Sequence, residues 1–408
     1  MAATLTDTLL EGAANNRHGV VLACQSVPTA PADLPGIFHA VVPGSRVDDW
    51  SAASGGAGRT EFAAECAAIG EAMERYSASV CRLEYASAGE SAIRIEDFSL
   101  FSQQQRRTPD FPFAQLYDEG LPFARVHSLR DNSEWWVPTA LVGITGHPAV
   151  STSNGLATAA SPATALLRGL QELIERDAFV VSWLHSVRGR QVALGDGYKA
   201  PVVGRGGDVR CVDATPAYCP WPVAVVGGHL PFRGRPRFAV GAACRETWAA
   251  AVEKAYLEWA QGTVFVSAFL AANSDLEYRE ARNVRSFQDH AAYYSVRPED
   301  WDRVPLFKGR QVEAPADAPH GDAWETLRRG VDSLHDAGIK VFYRDLTSVD
   351  LRQLGLWTVR VLSPNLTPLH FHEPWAFLGG RTSEVEWRYP WVDRSELRFP
   401  NPLPHPLG

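Results

Sequence analysis

The chain of 408 residues has little cysteine and little methionine, six and two residues respectively. Cys24, Cys66, Cys81, Cys211, Cys219 and Cys244 form no Cys-x-x-Cys pair, so a zinc knuckle is excluded. Buried or part-buried free thiols are the expectation in a reducing compartment. No apolar run approaches the roughly 18 residues of a membrane-spanning helix. The N-terminal stretch MAATLTDTLLEGAANNRHG lacks the basic start and apolar centre of a signal peptide. Positive charge is scarce as well: 39 Lys+Arg stand against 47 Asp+Glu, a net charge of −8. A sequence-independent nucleic-acid binder would need a basic footprint that this chain lacks. What is present, 45% apolar and 21% charged residues, is the composition of a soluble globular protein and not of a disordered one. A cytoplasmic enzyme is expected, of one large domain or of two or three smaller ones.

Strand candidates are 19–24, 37–42, 123–128, 134–142, 222–228, 237–244, 339–345 and 356–363, each rich in β-branched or aromatic residues and bounded by turn formers. Helical stretches lie at 61–80, 162–185, 246–270 and 322–337, the last stopping at Gly338. Interleaved strands and helices indicate a mixed α/β fold. An N-terminal β-rich segment, 1–50, is expected to precede a catalytic region, 51–408. The stretch 188–210, with six glycines, and the polar stretch 275–320 read as insertions or surface loops.

A weak internal repeat relates GEAMERYSASV (70–80) to QELIERDAFVV (171–181). Residues at i, i+3 and i+4 share a helix face, so Glu71, Glu74 and Arg75 form one polar patch and Glu172, Glu175 and Arg176 another. Such a face is either solvated or turned inward. One such motif alone reads as a solvated face. Apolar flanks, Ala67, Ala68, Ile69, Ala72 and Met73 in the first and Leu166, Leu167, Leu170, Leu173 and Ile174 in the second, allow the inward one. Its repetition with a third acidic helix shifts the balance towards a shared site. Carboxylates gathered in a dry site need a compensating cation. Oxygen-only donors with phosphate nearby favour magnesium, and the arginines could pair with phosphate or brace a neighbouring glutamate. A third acidic helix, 246–262, carries Glu258 and Gln261.

Small-residue segments precede the first two helices: SGGAGRT (54–60) and STSNGLATAASP (151–162). The first reads as a flexible turn, or as a place where backbone N–H groups meet an anion at a helix N-terminus. It is not a Walker A loop, since Arg59 stands where Lys is needed. In the second, Ser161 and Pro162 read as a helix N-cap and first turn, while Ser153 and Asn154 either bind nucleotide or shape the turn before Gly155.

On SGGAGRT…GEAMERY, SNGLA…LLRGLQELIERD, AVEKAYLEWAQ and PLPHP (402–406), in that order, the sequence resembles the YcaO family. The resemblance implies a mixed α/β domain that binds ATP through acidic helices and Mg2+, and that activates a peptide amide oxygen by phosphorylation. It makes Glu71, Glu74, Glu172, Glu175 and Glu258 candidate metal ligands, with Glu172, Glu175, Arg176 and Pro406 as candidate catalytic residues. Arg75, Ser153, Asn154 and Gln261 become candidate ATP contacts. Two positions depart from the family pattern: Ala57 stands where Lys is frequent, and Ala68 where Ser is frequent.

The tail FPNPLPHPLG (399–408) reads as a stiff polyproline II segment, which the resemblance brings to the active site. The sequence His370-Phe371-His372-Glu373 places two histidines on one side of a strand, yet no third convergent ligand is visible and no zinc is assigned. The expected function is ATP-dependent cyclodehydration of a ribosomally made precursor peptide to thiazoline or oxazoline. Thioamide or amidine formation, and a non-catalytic scaffold, are the alternatives. About 50 residues precede the first motif, so a leader-binding, ThiF-like partner is expected to act in trans, and a homodimer is the commonest assembly.

Overall fold

The computed structural model describes residues 5–15, 17, 19–44, 53–86, 91–145, 147, 150–277, 280–317, 319 and 321–408, so parts of segments 1–50 and 275–320 lie outside the described residues. Two units arise: residues 1–29, 36–173 and 320–366 form the first, and 30–35, 174–319 and 367–408 the second.

In the first unit, α1 (Leu5–Ala13) precedes β1 (Gln25–Val27), β2 (Phe38–Val42) and β3 (Ser54–Gly58), which pair antiparallel in that order. The expected strand 19–24 is not formed. Val21 instead exchanges hydrogen bonds with Ala13 and Asn15, and Leu22 is exposed. The expected turn at 54–60 is mostly strand β3. Its glycines serve packing: a Cβ at Gly56 would lie 2.2 Å from the Ala64 carbonyl oxygen, so the next helix rests directly on the strand backbone. That helix, α2 (Glu61–Val80), starts at Thr60, whose side chain accepts from the Ala63 N–H. It buries Ala64, Cys66, Ala68, Ile69, Ala72 and Met73 with Leu10, Ala40 and Val42.

The chain continues through β4 (Tyr85–Ala86), α3 (Gln103–Arg106), β5 (Phe123–Ser128), β6 (Glu134–Pro138) and β7 (Leu156–Ala159). Strand β6 stops short of the expected 142, because Pro138 has no N–H for a ladder and a 3-10 turn follows. Helix α4 (Pro162–Leu184) opens with the Ser161 hydroxyl accepting from the Thr164 N–H at 3.2 Å. Its residues to 173 belong to the first unit and those from 174 to the second.

The second unit holds β8 (Arg190–Val192), α5 (Asp196–Val203), β9 (Asp208–Asp213), β10 (Val223–Phe232), β11 (Arg235–Cys244) and β12 (Gln311–Val312). The sheet order is β11-β10-β9-β8-β12, antiparallel except for β12 on β8. Stretch 188–210 is therefore sheet and helix, not an insertion. Two of its glycines mark tight packing: a Cβ at Gly189 would stand 2.2 Å from Val212 Cγ1, and one at Gly207 2.4 Å from the His229 carbonyl oxygen. Helix α6 (Trp248–Ala272) follows, then α7 (Phe287–Val296) and α8 (Pro298–Trp301). Helix α7 buries His290, Ala292, Tyr293 and Tyr294, so 275–320 is not merely a surface loop.

Back in the first unit come α9 (Ala323–Asp336), β13 (Phe342–Asp345), α10 (Val349–Gln353) and β14 (Trp357–Leu362). Gly338, with φ of +69°, closes α9 in the left-handed conformation that glycine adopts without strain. Strands β4-β5-β13-β14-β7 form the six-stranded sheet, with β6 on the other side of β5. Among the described residues no helix is long and apolar enough to cross a membrane. Cys24 and Cys81 are partly buried, the other four cysteines buried, and all six are free thiols.

Candidate active site

In the first unit the two carboxylates of α2 are held by strand backbone. The Gly55 N–H of β3 donates to Glu71 Oε2 at 2.8 Å, and Arg75 Nη2 lies 2.5 Å from Glu71 Oε1. The Thr158 N–H of β7 donates to Glu74 Oε1 at 3.0 Å. Burial, then the nearby Glu172 charge, pushes the Glu74 carboxyl well above the ordinary range; Glu71 adds to this, while the Thr158 amide and Arg75 oppose it. Glu172 is half-buried on α4.

Arg360 of β14 is the buried cation of this group, 2% exposed. Burial lowers its guanidinium to about 10, against the pull of Glu172, Cys81 and Glu74, so it stays charged at neutral pH. It donates to the carbonyl oxygens of Val142 at 2.9 Å, Thr152 at 2.7 Å, Gly143 at 3.4 Å, and Asn154. These bonds shape the turn that carries Ser153 and Asn154. Ser153 is exposed, and the Asn154 side-chain amide donates to Thr152 Oγ1 at 2.5 Å. Gly155 has φ of +77°, and a Cβ there would meet the Val361 carbonyl oxygen at 2.1 Å, so only glycine fits.

Three carboxylates, Glu71, Glu74 and Glu172, thus gather near two guanidiniums. If all ionise, one negative charge is left over. An all-oxygen donor set in which one carboxyl is raised by its neighbour is the chemistry that a hard divalent cation relieves.

The second unit holds the remaining candidates. Glu175 is 4% exposed, with Arg176 Nε at 3.5 Å. Glu258 on α6 is half-buried, and Lys254 Nζ stands 3.1 Å away. Burial would raise the Glu258 carboxyl, but Lys254, Arg176 and Arg245 together outweigh it and hold the group below its ordinary value. Gln261 lies half-buried on the same helix. The tail is buried through most of its length, Pro406 included. Trp183 Nε1 donates to the Leu403 carbonyl at 2.9 Å, Tyr294 Oη to the Pro404 carbonyl at 2.8 Å, and Asn401 Nδ2 to the Trp183 carbonyl at 3.0 Å. His370 and His372 do not share a strand: the segment is irregular and enters a 3-10 turn at Glu373–Trp375. His370 is buried and His372 only half so.

Of the expected residues, the first unit therefore holds Glu71, Glu74, Arg75, Ser153, Asn154 and Glu172. The second holds Glu175, Arg176, Glu258, Gln261 and Pro406. Sequence reasoning missed Arg360, although an arginine between Val359 and Val361 in an apolar strand is a signal, since charged residues are rarely buried without a partner. It offered the backbone N–H groups of 54–60 to an anion without identifying Glu71 as the partner of Gly55, and it missed the Thr158 donor, which no residue type announces.

With mixed α/β units and oxygen donors on acidic helices, the chain has the build of a nucleotide-using enzyme that lacks a P-loop. Residues 55–367 match the family model described as YcaO cyclodehydratase, ATP- and Mg2+-binding, and the chain belongs to the YcaO family. It is similar in fold to a heterocyclase solved in complex with substrate and cofactor, with a TM-score of 0.75 at 20% identity over 98% of this chain. The chain spans 57% of the length of that heterocyclase. It is also similar to YcaO from Methanopyrus kandleri bound with AMPPCP and Mg2+, with a TM-score of 0.63 at 18% identity over 88% of each chain. A third similar structure is the E. coli microcin synthetase McbBCD complex with pro-MccB17 bound, with a TM-score of 0.67 at 14% identity over 96% of this chain and 99% of that one. No curated protein matches the chain.

Proposed function

We propose that the chain is an ATP-dependent cyclodehydratase that forms thiazoline or oxazoline rings in a ribosomally made peptide. The observation that carries this reading is the gathering of Glu71, Glu74 and Glu172 near Arg75 and Arg360, in a chain whose family model is described as ATP- and Mg2+-binding. A Cys, Ser or Thr side chain of the peptide adds to the preceding amide carbonyl. The resulting oxyanion takes a phosphoryl group from ATP, and loss of phosphate leaves the ring. Glu71, Glu74 and Glu172 would hold Mg2+, which when bound neutralises phosphate oxygens. The chain's own contribution is positioning and charge. Gly55 and Thr158 aim two of the carboxylates, Arg75 orients Glu71, and Arg360 fixes the turn that presents Ser153 and Asn154 to nucleotide. In the second unit we assign Glu175 and Glu258 to metal, Arg176 and Gln261 to nucleotide, and the tail at Pro406 to the reacting peptide.

We further infer that the peptide is delivered by a separate leader-binding, ThiF-like protein. The similarity to a chain of the McbBCD complex with pro-MccB17 bound supports this, as does that to a heterocyclase longer than this chain. A cytoplasmic setting suits six free thiols, which an oxidising compartment would threaten.

The test is to incubate the purified chain with Mg2+, ATP and a precursor peptide, with and without the partner. Phosphate release should track a peptide mass lower by one water per ring. Phosphate release with an unchanged peptide mass would refute cyclodehydration, and exchange of oxygen for sulfur would move the assignment to thioamide formation.

A further inference from the structure

We propose that the imidazoles of His290, His370 and His405 in the second unit form a binding site for a zinc-class transition-metal ion. His290 lies on α7, and the other two in the C-terminal stretch. All three are buried, and one ring nitrogen from each lies within 4.8 Å of the others.

In each ring the second nitrogen has an oxygen partner. His405 Nε2 is 2.7 Å from the His370 carbonyl, His290 Nδ1 is 2.8 Å from the His405 carbonyl, and His370 Nε2 is 3.3 Å from Glu373 Oε2. A neutral imidazole carries one N–H. Placing it on these bonds leaves a lone pair on the remaining nitrogen. Metal-ligating histidines are oriented in this way, with the outer nitrogen on a carbonyl or carboxylate.

The inner nitrogens lack a proton donor. His370 Nδ1 and His405 Nδ1 are enclosed without a hydrogen-bond partner. His290 Nε2 faces the Phe371 carbonyl oxygen at 3.1 Å, lone pair against lone pair. Enclosed polar atoms are nearly always satisfied, and a cation satisfies all three here. Three protein nitrogens leave the fourth position of a tetrahedral ion to water.

Zinc–nitrogen bonds of roughly 2.0–2.1 Å set tetrahedral ligands about 3.4 Å apart. Binding must therefore draw the rings inward and fan His290 from His405, whose planes stack at 3.8 Å and 6°. Nitrogen donors select zinc, copper or nickel over magnesium. The ion would tie the tail, through His405, to α7.

The experiment uses the full chain, stripped with EDTA and titrated with Zn2+ or Co2+ in excess Mg2+, which competes at any carboxylate site. One zinc per chain should be retained through gel filtration, and Co2+ should give the intense visible bands of a four-coordinate nitrogen site. His290→Gln and His405→Gln should each weaken zinc binding by at least ~100-fold, the upper end for loss of an outer-shell partner alone. His372→Gln, outside the cluster, should leave it unchanged. No retained zinc, a pale six-coordinate Co2+ spectrum, or undiminished affinity in both variants would overturn the proposal. Should the variants fail to fold, the Co2+ spectrum of the unmodified chain decides.

Discussion

Replacing Arg360 separates its two jobs, charge and geometry. Arg360→Met keeps the length of the stem and removes the guanidinium, which leaves the carbonyls of Val142, Gly143, Thr152 and Asn154 without their donor. Hydrogen bonds from a charged group are worth about 1.5–3 kcal/mol each, so the low end for four gives about 6 kcal/mol. That is a ceiling, because the turn also carries exposed Ser153 and water can reach part of it. The loss should settle nearer 3–5 kcal/mol, the range for breaking a buried charged network by removing one partner. The Met variant also removes one of the two guanidiniums near Glu74 and Glu172, which pushes the Glu74 carboxyl further up. Arg360→Lys retains the charge, but three ammonium donors cannot serve four carbonyls spread over two segments. Urea unfolding gives the stability, and amide exchange over 152–156 reports the turn. The expected order is wild type, then Lys, then Met in stability, with faster exchange at 152–156 in both variants. A Met variant as stable as wild type, or unchanged exchange in the Lys variant, would show that Arg360 does not organise this turn.

Glu74→Gln should abolish most Mg2+-dependent ATP use, by at least ~100-fold, the size of losing one electrostatic group at a reacting centre. Since burial and Glu172 raise the folded pKa of Glu74, metal-free stability falls as pH rises above the unfolded carboxylate value of about 4.3, and the Gln variant should lose that slope while keeping the Thr158 bond. Glu258 has the opposite sign. Its depressed pKa contributes stability that is present above about pH 4.3 and lost as pH falls through the lower folded value, so Glu258→Gln should flatten the acid limb of a thermal-melt series. Gly56→Ala puts a methyl 2.2 Å from the Ala64 carbonyl oxygen and should cost about 2–3 kcal/mol in chemical denaturation, the upper part of the overpacking range; a neutral outcome would mean that α2 does not rest on β3 as described.

What the sequence reveals depends on which force acts. Helix α2 is bounded at 61 and 80 by residue pattern alone, since its apolar face and its Thr60 cap are local properties. Strand β5 is equally plain from FARVHS. Strand β3 is not, because SGGAG has no strand propensity; it is a strand because α2 needs a surface without side chains, and that need is tertiary. The same cause hides the sheet within 188–210, where Gly189 and Gly207, which read as loop formers, mark close contact instead. Val21 fails as a strand for the converse reason. Its propensity is right, but nearer partners capture its backbone groups first.

The candidate site divides along the same line. Repetition of Glu-x-x-Glu-Arg identifies the acidic residues, but the repeat suggests equivalence, and the environments are unequal. Glu74 is half-buried and backed by the Thr158 amide, whereas Glu175 is 4% exposed with Arg176 beside it. A periodic pattern gives the face on which a carboxylate emerges and not the potential it meets there. For Glu74 that potential comes from burial, from Glu172 on another helix and from the Thr158 backbone amide, and Arg360, nearly two hundred residues further along the chain from Glu172, interacts with both carboxylates. The protonation behaviour of Glu74, on which a role in holding a cation depends, is therefore a property of how β3, β7 and β14 meet the acidic helices. The test of that statement is comparative. If Arg360→Met and Glu74→Gln, combined, restore the metal-free stability that Arg360→Met alone removes beyond its lost hydrogen bonds, the charge coupling is real. If the two effects simply add, the pair are neighbours without electrostatic consequence.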